Sequence, residues 1–406
     1  MTPPPSPPLS SRRDADDGFQ SVAGSRARRP ASPTELGGDA EWEEWRALTP
    51  PMPIDEGALD DLLSMPSVGT EATLEQCDGD VVVLGAGGKM GPTLARMVRR
   101  ALDGLAASAR EDDADSVSSA APARRRVIAV SRFSSPSAES ALRAAGVETI
   151  ACDLTDPDAV ARLPDASNVI FMAGQKFGTT GAPGETWMMN AVVPAFCAER
   201  YRASRIVAFS TGNVYPLTPV ASGGSREEDA PSPVGEYASS CLGRERIFEH
   251  YAARHGTRVA LVRLNYAVDL RYGVLTDIAL KVWRGEPVDV TMGYVNVIWQ
   301  GDANRLAIDC LAHVASPPFV VNVTGARVLS VRAVAERFGK LLGREAMITG
   351  SEASDALLSD TTRMCDVLGE ATSPVWWMML RVADWIRGGG RLLGKPTKFE
   401  RRDGRF

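Results

Sequence analysis

The stretch Val81-Val-Val-Leu-Gly85-Ala-Gly87-Gly88-Lys89-Met90-Gly91 decides how this chain is read. Four apolar residues run directly into a glycine-rich turn, and the residues after it, Pro92–Leu102, carry a helical apolar pattern. A glycine at position 85 permits a tight turn. The later glycines let the backbone approach a pyrophosphate and let helix and strand pack closely. The helix that opens at the end of the turn presents unpaired N–H groups and positive potential to a phosphate. Gly85, Gly87, Gly88, Lys89, Met90 and Gly91 are therefore candidate ligands of a dinucleotide.

Working outward, apolar runs alternate with helical patterns, as a parallel sheet with crossover helices requires. The runs are Val81–Leu84, Val127–Val130, Thr149–Ala151, Val169–Met172, Ile206–Phe209 and Val259–Leu264. Together they predict an α/β fold: a Rossmann-type doubly wound parallel sheet over residues 79–265. A smaller C-terminal substrate lobe is expected over 266–406, with some elements packing back on the core. Within that lobe we expect a strand at Phe319–Val323, a helix at Val331–Leu342, and a helix capped by Ser373 with Pro374 at its first position. Trp376, Trp377, Met378 and Trp385 on that last helix read as a packing face, with a homodimer interface as the alternative. Residues 1–40, rich in Pro, Ser, Gly and Arg, cannot bury enough surface to offset their ordering entropy and are expected to be disordered. Asp14, Asp16 and Asp17 argue against a transit peptide there. Residues 41–78 read as an N-terminal arm, and the polar, low-complexity stretch 104–124 as a disordered insertion.

Composition narrows the function. The 406 residues carry 45 Lys plus Arg against 51 Asp plus Glu, a net charge of −6. That balance argues against nucleic acid as a partner, since neutralising phosphates needs an excess of clustered cations. No apolar stretch approaches the length of a membrane span, so no membrane partner is expected. Cysteines 77, 152, 197, 241, 310 and 365 are scattered without C-x-x-C pairing, which suits a reduced, cytoplasmic protein. Three histidines, at 250, 255 and 313, argue against a zinc site or a histidine-based hydrolase.

The spacing Gly85, Gly88, Gly91 resembles the G-x-x-G-x-x-G turn of the extended short-chain dehydrogenase/reductase superfamily, which includes the NAD(P)-dependent epimerases and dehydratases. Over residues 80–330 other stretches resemble that family in order. Cys152-Asp153-Leu154 closes the third strand, where the resemblance implies that Asp153 and the Leu154 backbone hold the adenine. Phe171-Met-Ala173-Gly174 closes the fourth, with Ala173 and Gly174 passing under the cofactor. Asn190 resembles the asparagine of the following helix, and Leu261-Val-Arg-Leu-Asn265-Tyr-Ala a stretch beneath the nicotinamide. The second strand ends Ala129-Val-Ser-Arg132 with no acid, so Arg132 is placed to bind a 2′-phosphate, which favours NADP over NAD.

Ser210-Thr211-Gly-Asn-Val-Tyr215 resembles the stretch bearing the family's Ser/Thr, which places Thr211 at that position with Ser210 as the fallback. Tyr237 and Glu245 fall where the family carries its tyrosine and a helical glutamate. Cys241, however, stands where the Tyr-x-x-x-Lys motif has its lysine. A free phenol has a pKa of about 10, so a tyrosine without that cation is a poor base near neutrality. Three readings follow. Arg244 or Lys176, the latter in the loop after the fourth strand, substitutes as the cation; or Tyr237 only donates a proton or orients substrate; or the protein is a catalytically degenerate NADP-binding sensor. The resemblance implies hydride transfer to or from a hydroxyl or keto carbon of a small, sugar-like substrate, with Thr211, Tyr237 and Lys176 as catalytic candidates and no metal. The basic end, Lys395 to Arg405, reads as a solvated tail.

Overall fold

The four residues Val81–Leu84 form β1, and their burial on both faces explains their uninterrupted apolar character. Val81 and Val83 face one hydrophobic cluster, Val82 and Leu84 another. The computed structural model describes residues 36, 38–48, 55–112, 124–179 and 181–405, all within one unit, Ser32–Phe406. Six further strands join β1: β2 (Val127–Ser131), β3 (Glu148–Ala151), β4 (Asn168–Phe171), β5 (Arg205–Thr211), β6 (Arg258–Leu264) and β7 (Phe319–Val323). All pairings are parallel and the order across the sheet is β7-β6-β5-β4-β1-β2-β3. The order reverses between β1 and β4, which opens a crevice at their carboxyl ends, the usual ligand position in such sheets.

Helices α1 (Asp39–Leu48), α2 (Glu56–Leu63) and α3 (Val68–Gln76) precede β1; α4 (Gly91–Asp112) follows the glycine turn. After β2 come α5 (Pro136–Ala144) and, beyond β3, α6 (Pro157–Ala161). The segment between β4 and β5 runs through α7 (Pro183–Trp187), a π-helical turn at Met188–Val192, and α8 (Val193–Arg200). Helix α9 (Gly235–His255) lies between β5 and β6. The C-terminal half adds α10 (Val274–Arg284), α11 (Gln300–Asp309), α12 (Val331–Leu342), α13 (Thr362–Leu368) and α14 (Val375–Arg387). Ser330 caps α12 by accepting from the Ala333 N–H at 3.3 Å.

Three expectations are corrected. The insertion expected to be disordered over 104–124 is helical through Asp112, because α4 continues past its apolar pattern as an exposed helix end. The expected disorder of 1–40 fails at its end: α1 begins at Asp39, and the Trp42 indole donates to the Leu36 carbonyl at 2.6 Å. The rest of both segments, 1–35, 37 and 113–123, lies outside the described residues. Finally, α14 starts at Val375 rather than at Pro374, since the Ser373 N–H and Thr372 hydroxyl are both held by the Asp302 carboxylate. Its tryptophans do pack inward. Trp376 stacks on Trp45 at 5.1 Å between centroids, and Trp377 meets Trp299 edge-on.

Beneath the crevice lies a buried polar network. The Glu245 carboxylate accepts from Arg263 Nε at 3.0 Å and Nη2 at 2.7 Å, and from the Ser210 hydroxyl at 2.5 Å. Arg263 Nη1 reaches the Tyr215 hydroxyl at 2.7 Å, which in turn donates to Asn322 Oδ1 of β7 at 2.8 Å. Two-point geometry and added donors are what a buried ion pair needs to offset desolvation. Replacing Arg263 by Met would strand the fully buried Glu245 carboxylate. We expect a loss of roughly 3–5 kcal/mol, measurable as a lowered urea midpoint with an unchanged slope.

Candidate active site

A cavity of about 240 Å³ sits at the carboxyl ends of β1, β4, β5 and β6. It is lined by Gly85, Gly88, Lys89, Met90 and Gly91 from the glycine turn, by Lys176 after β4, by Ser210 and Thr211 at the end of β5 and Asn213 just past it, and by Tyr237. Asn265, Tyr266 and Tyr272 close its far side. The three catalytic candidates, carried by separate elements from Lys176 to Tyr237, are thus brought to one space.

The glycine turn has the shape a dinucleotide requires. Gly85 holds φ +85°, and a Cβ there would meet the Ala173 backbone nitrogen at 2.5 Å. A Cβ on Gly91 would strike the Ala86 carbonyl oxygen at 2.5 Å, and one on Gly87 the Ser131 hydroxyl at 2.5 Å. At positions 85 and 91, where the clash is with backbone, only glycine permits the approach, and α4's N-terminus is left open to a phosphate. These residues fit a pyrophosphate. Arg132 is exposed just past β2 and acts electrostatically on Asp153, which is exposed after β3 and whose Oδ1 accepts from the Thr155 N–H and hydroxyl. Leu154 and Ala173 are buried against the sheet.

Asn190 does something other than contact a cofactor. Its Oδ1 accepts from the Gln175 N–H at 2.8 Å and from Arg244 at 2.8 Å; its Nδ2 donates to the Gln175 carbonyl at 2.9 Å and the Ser240 hydroxyl at 3.0 Å. Its side chain is fully buried, and its hydrogen-bonding capacity is spent bracing the loop that carries Lys176. Ser210 is similarly committed to Glu245.

Thr211 lines the cavity beside Tyr237. Its oxygen accepts from the Asn213 N–H at 3.2 Å and Nδ2 at 3.0 Å, so its proton is left for the Tyr237 phenol, with which it hydrogen-bonds. Tyr237 lies on the first turn of α9, set by Gly235 at φ +83°. One turn on, the buried Cys241 thiol hydrogen-bonds the phenol. Burial, first, and the thiol, second, push the phenol well above its ordinary value, while Arg244 and the Thr211 bond pull it down by less. Burial raises the thiol too. Arg244 is itself engaged, donating to the Phe209 carbonyl at 2.7 Å and to Asn190.

The lysines are the cations that enter the cavity. Lys176 Nζ stands 5.9 Å from the Tyr237 ring centroid, and burial lowers its pKa to about 8 against the opposing pull of Asp277. Lys89 crosses from the glycine turn to donate to the Ala267 carbonyl at 3.2 Å and sits 3.7 Å above the Tyr272 ring; burial lowers it to about 7. Tyr272 and Thr397, which also line the cavity, carried no readable signal in sequence. The tail expected to be solvated is folded onto the lobe: Thr397 and Phe399 are buried and pack where apolar surface is on offer.

Residues 81–268 match the model of the NAD dependent epimerase/dehydratase family. This segment belongs to that family. The epimerase/dehydratase domain so defined holds every residue of the site except Tyr272, Val274 and Thr397. Solved structures with the same fold include MoeE5 in complex with UDP-glucose and NAD, at 21% identity and TM-score 0.55, covering 77% of this chain and 99% of that one. Another is the UDP-glucuronic acid 4-epimerase of Bacillus cereus in complex with NAD, at 16% identity and TM-score 0.60, covering 76% and 96%. The UDP-glucose 4-epimerase of Thermus thermophilus in complex with NAD is 18% identical, with TM-score 0.57 and coverage of 76% and 99%. Among curated proteins none matches this chain. Among the described residues no helix is long and apolar enough to cross a membrane, and no cluster of three metal-ligating side chains occurs.

Proposed function

We propose that the chain is a nicotinamide-dinucleotide-dependent oxidoreductase of the epimerase/dehydratase type, acting on a hydroxyl or keto carbon. The observation that carries this reading is the shared cavity: the glycine turn, Thr211, Tyr237 and Lys176 all face it. A bound nicotinamide supplies or accepts the hydride. Gly85 to Gly91 would hold the pyrophosphate, with Asp153 and Arg132 toward the adenosine end and Asn265 beneath the nicotinamide end.

The chain's own groups handle the proton. A phenol pushed upward by burial and by a thiol stays protonated through the usable pH range, so Tyr237 acts as a donor to a substrate oxygen rather than as a base. Thr211, its own oxygen occupied by Asn213, hydrogen-bonds the phenol and fixes its direction. Lys176 supplies the positive charge that position 241 lacks, from the loop after β4. This arrangement supports working in the direction of carbonyl reduction, where the developing alkoxide takes the proton.

On cofactor choice, the similar structures that name one name NAD, which weighs toward NAD for this chain. Arg132, with no acid at the end of β2, is the feature that admits NADP.

Three outcomes are expected. Tyr237→Phe should lower kcat by about 100-fold or more while dinucleotide binding, followed by NADH fluorescence, stays intact. An unchanged rate would instead favour a sensor that binds without turnover. The rate should hold at lower pH and fall as pH rises through about 8, where the Lys176 ammonium loses its charge, and a Lys176→Met variant should lack that limb. Arg132→Ala should weaken NADP binding by about tenfold, the worth of a charge-assisted pair, and leave NAD affinity within about twofold, read by calorimetric titration.

A further inference from the structure

The cavity's size and charge speak to its substrate. At about 240 Å³ it is below the roughly 300–1,000 Å³ usual for small-molecule sites, and the nicotinamide end of the cofactor must share it. Among the described residues its charged lining residues are Lys89 and Lys176, and no carboxylate lines it. The acid that acts on both lysines, Asp277, does not line the cavity, and its Oδ2 accepts from the Thr397 N–H at 2.7 Å and hydroxyl at 2.6 Å. Lys398, the next residue, adds positive potential at Lys176.

The outer wall is the C-terminal segment. Thr397 lines the cavity, and Arg401, Arg402 and Gly404 line a small adjoining void that shares Asn213 with it. That segment is tied down along its length. The Leu393 N–H donates to the Arg271 carbonyl at 3.1 Å, Lys281 pairs with Glu400, and Arg402 pairs with Asp355 at 2.6 Å. At its end the backbone of residue 404 packs so closely on Val234 and Gly235 that a Cβ on Gly404 would lie 2.2 Å from the Val234 carbonyl oxygen. The chain thereby closes over the start of α9, two residues before Tyr237.

Resting on the oxidoreductase reading above, we infer that the substrate is a compact hydroxy or keto acid carrying no nucleotide, its carboxylate held by Lys176 and its outer end bounded by the segment 397–404. A nucleoside diphosphate attached to the substrate would have to displace that segment from its ties to Asp277, Lys281, Asp355 and Val234. A carboxylate, by contrast, meets the two cations that line the site.

The test uses the full chain. NADH fluorescence first reports whether the dinucleotide site works; failure there sinks the oxidoreductase reading and leaves this inference to be read on the protein alone. Calorimetric titrations then compare D-glucuronate, D-gluconate and D-glycerate with D-glucose and glycerol, and with UDP, on the NADH-loaded protein or, where NADH fails to bind, on the chain by itself. At least one acid should bind about tenfold or more tighter than its neutral counterpart, and UDP should give no heat beyond dilution. Lys176→Met should erase the acid preference, while Lys176→Arg, which keeps the charge, should retain it. Binding of UDP to the NADH-loaded protein, equal affinity for acid and neutral compounds, or binding by none of the acids would each overturn the inference.

Discussion

The approach of Gly85 to the Ala173 backbone is the contact from which the rest of the molecule takes its position. It occurs where the sheet order reverses, and it brings the ends of β1 and β4 nearer than any side chain would permit. The N–H groups of Gly85 and Ala86 both donate to the Val130 carbonyl, and that of Met172 to Leu84, so three strand ends are locked together at one point. From that point α4 sets out with its N-terminus facing the crevice. The loop after β4 leaves in the other direction carrying Lys176, and Asn190 and Arg244 hold that loop against β5. A single missing Cβ thus sets both the phosphate cradle and the route by which a lysine reaches Tyr237.

With a buried cysteine at 241, the position one turn on from Tyr237 carries no positive charge. A thiol is small and apolar enough to be buried beneath α9, and its burial costs little while it stays neutral. The cations that act on this position are Arg244, three residues along the same helix, and Lys176 on the loop after β4. Arg244 is saturated by the Phe209 carbonyl and by Asn190, so it stabilises the scaffold more than the phenol. Lys176, carried by the loop after β4, lines the cavity itself. The consequence is a site whose tyrosine keeps its proton, which suits donation to an oxygen that is gaining negative charge.

Much of this was legible in the sequence, and the reasons for the gaps are local. The glycine turn, all seven strands and the Val331–Leu342 helix follow from period and composition, because buried parallel strands and amphipathic helices each leave a strong pattern. Helix α4 was cut short because, past Leu102, only Leu105 continues its large apolar positions, and propensity along a mostly exposed helix end is invisible to apolar periodicity. Asn190 was assigned by resemblance to cofactor contact; only coordinates could show its four hydrogen bonds already taken. Tyr272 and Thr397 belong to the lobe, where residues distant in sequence converge through packing that no spacing encodes. The tail was misread because its five cations outweigh, in any count, the one buried Phe399 that anchors it.

Lys89 shows why the two halves of the site should not be considered apart. It is part of the phosphate turn by sequence, yet its ammonium reaches the Ala267 carbonyl and the Tyr272 ring, both on the substrate side. Under the proposed function it would stand between cofactor and substrate, and its charge would act on both. Burial already holds its pKa near 7, so the ammonium is poised between states in the absence of an anion. An anion arriving on either side would favour the charged form and thereby strengthen the field felt on the other. Dinucleotide and acidic substrate would then each raise the other's affinity through one side chain, because linkage between two sites that bias the same equilibrium is reciprocal. The glycine turn is in this sense a part of the substrate site, with Lys89 carrying its influence across the cavity.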